Sequence, residues 1–410
     1  MKKTMTFSVL LFAAAMLVSC DKKGSSSDKE KESESESDYQ IEYFAFQEEE
    51  GGPWGLMATD GTVLVKPKYS GEDASCVVNG CFYIGSYDNG YTIYTAEKNP
   101  KKIGKYKKCG SFTSDLCPVQ DMNEKIFYIN KEGEKVLDVT EIDGKKVQAV
   151  YNFFCGRAMI NTEDGKWGFI NEEGESVKGI EYADAWNYCE DLAIVYYDNP
   201  TYDDNDTGKW GVIDTDGNEL FKKRFCDLRP SEYKYSNGLL EVKDGNDNYS
   251  LLDEKGKVVL KLKDKTYTNY IGEDAISVYN TDTQKAGLID KEGEWIIRPK
   301  FQSTAFNGKL LAAGIDDEEY TLYSLEGEKI ADLPHGYVNL FDKQFKDYDN
   351  YLLVGTWEDG YKLVDSEGNM VNTKYQIQRY STSFNWGFSI EEYDDEYYEE
   401  DYEEEYDEDY

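Results

Sequence analysis

Few residues in this chain of 410 could carry out a reaction. The sequence has one histidine, His335, and a Ser-His-Asp or Cys-His system would have to centre on it. Its setting, Leu333-Pro334-His335-Gly336, reads as a turn with nothing to orient the ring. Neither a Gly-x-Ser-x-Gly elbow nor a glycine-rich phosphate loop is present. Paired carboxylates could hydrolyse a glycosidic bond, but 82 acidic residues single out no pair. The loop from Asp198 to Gly208 holds Asp204-Asn205-Asp206. Asp204 and Asp206 are the candidate Ca2+ ligands there, although the EF-hand order is absent and a solvated hairpin extension explains the loop equally. Cys76, Cys81, Cys109, Cys117, Cys155, Cys189 and Cys226 show no Cys-x-x-Cys spacing. With a single histidine they do not suggest zinc, and their odd number leaves at least one thiol unpaired. The expectation is a non-enzyme with no catalytic residue and no bound cofactor.

The N-terminus reads as an address. Lys2 and Lys3 precede the apolar run Phe7 to Val18, which is too short for the roughly 20 residues of a spanning helix and suits a signal h-region. Leu17-Val18-Ser19-Cys20 resembles a bacterial lipobox. The resemblance implies cleavage before Cys20 and a covalent diacylglycerol on its thiol, with further acylation (palmitate or similar) giving stable anchoring. Residues 1–19 are then a lipoprotein signal peptide. Residues 20–38, nearly all Asp, Lys, Gly, Ser and Glu after the cysteine, form a disordered tether. The expected location is the bacterial cell envelope, anchored to a membrane without crossing it. Asp21 favours inner-membrane retention in enterobacterium-like sorting, but other groups read other signals. We expect the outer membrane, with the side left open.

Residues 391–410 contain only Glu, Asp and Tyr, fourteen acids and six tyrosines. So dense a block of like charge is expected to stay extended and disordered. With a formal net charge of −37, nucleic acid is excluded as a partner.

Between the ends lies a repeat. Trp167-Gly168-Phe169-Ile170-Asn171-Glu172-Glu173-Gly174 returns as Trp210-Gly211-Val212-Ile213-Asp214-Thr215-Asp216-Gly217, and again from Ala286-Gly287 to Gly293; Trp54-Gly55 opens the series. Weaker copies begin at Tyr91, Ile126, Tyr249, Tyr320 and Tyr361, giving nine units of about 38 residues. In eight of them a glycine stands seven places after the start; the unit at Tyr91 lacks it. The pattern predicts a strand, a tight hairpin that needs a positive φ at its glycine, and a second strand ending near a proline such as Pro67 or Pro299. A third strand precedes each start, as in Phe154 to Ile160 or Tyr188 to Val195. Phe384 to Ile390 fits that type, so the array ends on a half-unit able to close on the first unit or simply to present a terminal edge.

These residues resemble the bacterial WG-repeat family, over roughly residues 40 to 390 and best at Trp54, Trp167, Trp210 and Ala286. The resemblance brings no catalytic assignment. The expected fold is all-β, a tandem array over 39–390 that is β-propeller-like, with an open β-solenoid as the alternative. The expected function is a non-catalytic module that binds or scaffolds an envelope protein or polysaccharide. The alternative is a glycan-active envelope enzyme with paired carboxylates.

Overall fold

A computed structural model describes residues 39–199, 209–223, 229–231, 235–263, 265–315, 319–384 and 387–389. Cys20, the tether, Cys226, Asp204, Asp206 and the acidic tail lie outside the described residues.

Nine small antiparallel sheets follow one another along the chain, and no helix occurs among the described residues. Seven are four-stranded, and six of these run in chain order: for example, Asp184–Ala185, Leu192–Tyr196, Trp210–Asp214, Glu219–Lys223 in the fifth. These are the nine blades of a β-propeller. Each unit start falls on the third strand of a blade. A sequence unit therefore holds the third and fourth strands of one blade and the first and second of the next, and this offset ties neighbouring blades covalently.

The ring is closed by the same offset. The first blade takes its second to fourth strands from Phe44–Gln47, Trp54–Met57 and Val63–Tyr69. Its first strand is Arg379–Ser381, which pairs antiparallel with Phe44–Gln47. The closing strand is thus not Phe384 to Ile390, for which the repeat pattern left open both closure on the first unit and a terminal edge. Gly387–Ser389 pairs instead with Lys145–Phe154, the first strand of the fourth blade. That strand is ten residues long; Glu141–Ile142 pairs with Lys145 and Lys146 on its edge away from the second strand, and the C-terminal segment pairs farther along, at Ala149 to Tyr151. The ninth blade has three regular strands, Tyr337–Leu340, Tyr351–Thr356 and Gly360–Asp365. Its fourth position is an irregular stretch bridged at Val364–Met370 and Tyr361–Ile377.

A second correction concerns the strand read before each unit start. The stretch from Phe154 to Ile160 is the end of one strand, a two-residue turn at Cys155-Gly156, and the start of Arg157–Thr162. Asn79-Gly80, Glu190-Asp191 and Asn237-Gly238 make the same turn, both residues at positive φ as a tight primed hairpin requires.

The two faces of each third strand pack into different cores. Trp210 and Val212 join a cluster with Tyr235, Leu240 and Val242 of the sixth blade, while Ile213 joins Tyr188, Ala193 and Val195 on the other side. The same split separates Phe169 from Ile170 and Leu288 from Ile289. Aromatic pairs span the gaps between blades, Tyr69 with Tyr94 at 4.8 Å and Phe301 with Tyr323 at 5.2 Å among them. Many of the 35 tyrosines are structural in this way. One cluster joins blades distant in sequence: Tyr39, Phe44, Phe154, Phe341, Phe345 and Phe384 are all buried in it.

Candidate functional site

In an antiparallel blade the turns after the first and third strands lie on one face of the ring. The turns after the second strands lie on the other, with the links between blades. The first face is tied together by hydrogen bonds. Glu190 accepts from the backbone N–H groups of Asn237 and Gly238, each at 2.7 Å, and pairs with Lys343 at 3.0 Å. Asn237 donates to the Ile271 carbonyl, and Asn307 donates to those of Phe341 and Tyr348. Blades five, six, seven, eight and nine are linked in this way.

The second face differs. Among the described residues its turn tips expose large apolar side chains on only part of the ring: Ile315 at 74% in the eighth blade, Trp357 at 64% in the ninth, Tyr87 at 73% in the second and Met122 at 56% in the third. Tyr337 adds to the ninth. These blades are consecutive around the closure, with the acidic tip Glu48-Glu49-Glu50 of the first blade between them. The corresponding tips of the fourth, sixth and seventh blades, around Asp164, Asn246 and Asp282, are polar.

Within this arc a cavity of about 630 Å³ opens between the first and second blades. Ser70, Gly71, Glu72 and Asp73 line it from the link between the blades, Ser86 and Asn89 from the second blade's turn. Lys105 comes from that blade's outer strand and Arg379 from the closing strand. The Arg379 guanidinium lies over the ring of buried Trp54 at 5.4 Å, a cation–π arrangement. The indole N–H of Trp54 donates to the Gly71 carbonyl at 3.0 Å, fixing the cavity floor. Tyr91 donates to Asp73 at 3.5 Å; burial first, with Asp73 beside it, pushes the Tyr91 hydroxyl up to about 12. Gln47, fully buried, has an Oε1 with no hydrogen-bond partner. The cavity thus presents two carboxylates, two cations and several small hydroxyl and amide groups, a size and a mixture suited to holding a polar ligand. Nothing in the residue order marks it, because its residues come from both ends of the chain and meet only when the ring closes.

The repeat residues named from the sequence occupy structural positions. Trp54 and Trp210 are buried, and Trp167 is partly buried against Tyr151 at 5.9 Å. A Cβ on Gly55 would stand 2.7 Å from the Val65 carbonyl oxygen, on Gly168 2.9 Å from the Ile180 Cα, on Gly211 2.8 Å from the Phe221 carbonyl oxygen, and on Gly287 2.5 Å from the Ile297 carbonyl oxygen. His335 is exposed at a bend. Cys76, Cys81, Cys109 and Cys117 are buried, and burial pushes Cys81 up to about 11. No cluster of candidate metal ligands occurs among the described residues, and no helix among them is long and apolar enough to cross a membrane.

Comparisons with known proteins bear on the fold more than on the site. The crystal structure of a eukaryotic initiation factor superposes with a TM-score of 0.57 at 13% identity, over 84% of this chain and 98% of that one. BamB from Moraxella catarrhalis gives a TM-score of 0.37 at 12% identity, over 72% and 91%. Glucosyltransferase-S of Streptococcus downei is 23% identical over 205 residues, which is 45% of this chain; the chain spans only 15% of that protein's length. Residues 167–199 and 287–316 match the family described as WG containing repeat. Both matches begin at the third strand of a blade, at or beside a unit start, and run into the next blade. The chain therefore carries two stretches similar to the WG containing repeat, set within a nine-bladed β-propeller.

Proposed function

We propose that this protein is a lipid-anchored binding module of the bacterial cell envelope, without catalytic activity of its own. It engages an envelope protein or polysaccharide through the face that bears Ile315, Trp357, Tyr87 and Met122. The observation that carries this reading is that, among the described residues, the four most exposed large apolar side chains, Ile315, Tyr87, Trp357 and Met122, lie on one arc of one face, around a polar cavity. Apolar side chains gathered on part of a surface are characteristic of interaction sites, and Trp and Tyr are the residues most often dominant in them. Anchoring is read from Cys20, with the outer membrane favoured, and leaves the propeller free to reach its partner on the 20–38 tether. Cys20→Ala should abolish acyl labelling; unchanged labelling would remove the anchor from this reading.

The binding face is tested in cells with a photo-crosslinking amino acid placed at position 87 or 357 and, as a control, at 282. Adducts from the first two sites and not the third are expected. Equal adducts from all three, or none, would overturn the assignment. A second reading, chemistry on glycans, draws on the name of the streptococcal relative and on Glu72 and Asp73 in the cavity. These carboxylates are sequence neighbours on a single segment and do not face each other from separate elements as glycosidase pairs do. Hydrolysis or transfer of a glycan that is lost in Glu72→Gln or Asp73→Asn would favour this second reading.

A further inference from the structure

Opposite charges on the second face of the ring pair locally in five consecutive blades. Each of the third to seventh blades has such a pair at its tip, as Lys107 with Glu124, Lys145 with Asp164 and Lys265 with Asp282. The cavity between the first and second blades departs from this. Glu72, Asp73, Lys105 and Arg379 all line it, yet none of the four forms an ion pair with a described residue. They stand on separate elements that the fold holds apart. Glu72 and Asp73 come from the start of the second blade's first strand, Lys105 from its fourth strand and Arg379 from the closing strand. Two of them are held in place: Asp73 by the Tyr91 hydroxyl, and Arg379 by its position over the Trp54 ring.

The fifth blade shows how the same position is otherwise built. Asp73-Ala74 and Asp184-Ala185 are the first strands of their blades and share a register, Asp73 standing opposite Gly85 and Asp184 opposite Tyr196. Tyr196 is fully buried and Asp184 partly so, whereas Gly85 adds no side chain and Asp73 is exposed to the cavity. Gln47 borders the same space; its Nε2 donates to the Gly52 carbonyl and its Oε1 has no partner, an acceptor open to a ligand N–H. A bare anion in the cavity would meet two carboxylates, and a bare cation two basic groups. A ligand carrying both signs satisfies both pairs, and peptide groups match the Ser86, Asn89 and Thr92 side chains between them. We propose that the cavity binds a zwitterionic peptide, a few residues long, with a free ammonium and a free carboxylate. Lys105 and Arg379 hold the carboxylate, and Glu72 and Asp73 hold the ammonium. The volume of about 630 Å³ suits a ligand of that size. This rests on the reading of the second face as the binding face and adds the class of ligand.

Saturation-transfer NMR of the full chain with trialanine, N-acetyl-trialanine and trialanine amide tests this. Trialanine should bind, and each blocked peptide should bind about fivefold more weakly, the loss expected for one exposed charged contact. Glu72→Gln/Asp73→Asn should weaken trialanine by a similar factor and N-acetyl-trialanine no further, because the group those carboxylates hold is already gone. Lys105→Gln should behave in the same way toward trialanine and trialanine amide. Lys105 is exposed on an outer strand, so its replacement leaves the fold in place. No binding of trialanine, equal binding of all three peptides, or variants that weaken all three alike would overturn the proposal. So would binding of chitotriose in place of trialanine, which would assign the cavity to glycans. Photo-crosslinks from positions 87 and 357 without trialanine binding would refute the peptide ligand and leave the binding face standing. With neither, the reading of the face falls as well.

Discussion

The Trp-Gly pair is a packing device. The aromatic residue fills the gap toward the next blade, and the glycine leaves room for the outer strand, which bulges where it passes. The bulge falls between Trp54 and Leu56, between Trp167 and Gly168, and between Ala286 and Leu288, each time beside the glycine. Pro67 and Pro299 stand at that point, their nitrogens 2.8 and 3.0 Å from where a Cβ of Gly55 or Gly287 would be. Gly287→Ala should therefore cost about 1–3 kcal/mol by overpacking, measured by urea unfolding. Trp210→Ala should cost about 3–5 kcal/mol, and Trp167→Ala clearly less, because its ring is only partly buried. Equal losses at the two tryptophans would contradict this packing.

Asp184 adds a pH-dependent effect at the same scale. Burial raises its carboxyl from the usual 3.8 to about 6, opposed by a hydrogen bond from the Ala185 N–H. Between pH 4 and 6 the folded protein retains a proton that the unfolded chain releases. Stability therefore falls as pH rises through that window. Asp184→Asn keeps the acceptor and removes the charge. It should raise the stability at pH 8 by on the order of 1 kcal/mol, discounted for the partial exposure of the group, and have no such effect at pH 4. A gain of equal size at both pH values would show that ionisation is not the cause.

At the scale of elements, the hairpin glycines and the closing strand have different roles. Gly61, Gly133, Gly174, Gly217, Gly256, Gly293, Gly327 and Gly368 all have positive φ, so each repeat makes the same turn after its third strand. An Asp, Asn or Ser four places after the start caps many of these turns from within: Asp214 accepts from the N–H groups of Asp216 and Asn218, as Asp365 does from Glu367 and Asn369. These are local and replaceable. The closing strand is not, since Arg379–Ser381 is the sole partner on that edge of Phe44–Gln47. Truncation after Lys374 should cost more than about 4 kcal/mol, beyond the range of ordinary single lesions. Truncation after Ile390, which spares every described strand, should leave the melting transition unchanged.

For the whole molecule, stability depends on contacts between blades far apart in sequence. Glu190 and Lys343 are separated by 153 residues, and their side chains are 10% and 27% exposed. Lys343→Met would leave the Glu190 carboxylate with its two backbone donors and no counter-ion, at a cost of about 3 kcal/mol for a pair so little exposed to water. A double-mutant cycle with Glu190→Gln should show coupling between the two sites. Additive effects would mean that the pair does not help hold the ring together.

The sequence by itself determined the unit. An aromatic–glycine start, a branched apolar pair, a capped turn with a glycine at a fixed offset and a proline-marked outer strand are local requirements, each met within a few residues, and the turn glycine is legible in eight of the nine units. Strand boundaries were less legible where a tight turn is built from residues such as Cys155 or Glu190, which carry no turn signature of their own. Only the tertiary structure decided that nine units close into a ring. Closure depends on whether Arg379–Ser381 reaches Phe44–Gln47, and the accumulated twist of nine sheets sets that distance. The cavity followed from the same step, because Arg379 has no relation in sequence to Gln47, Glu72 and Lys105 until the last strand joins the first blade.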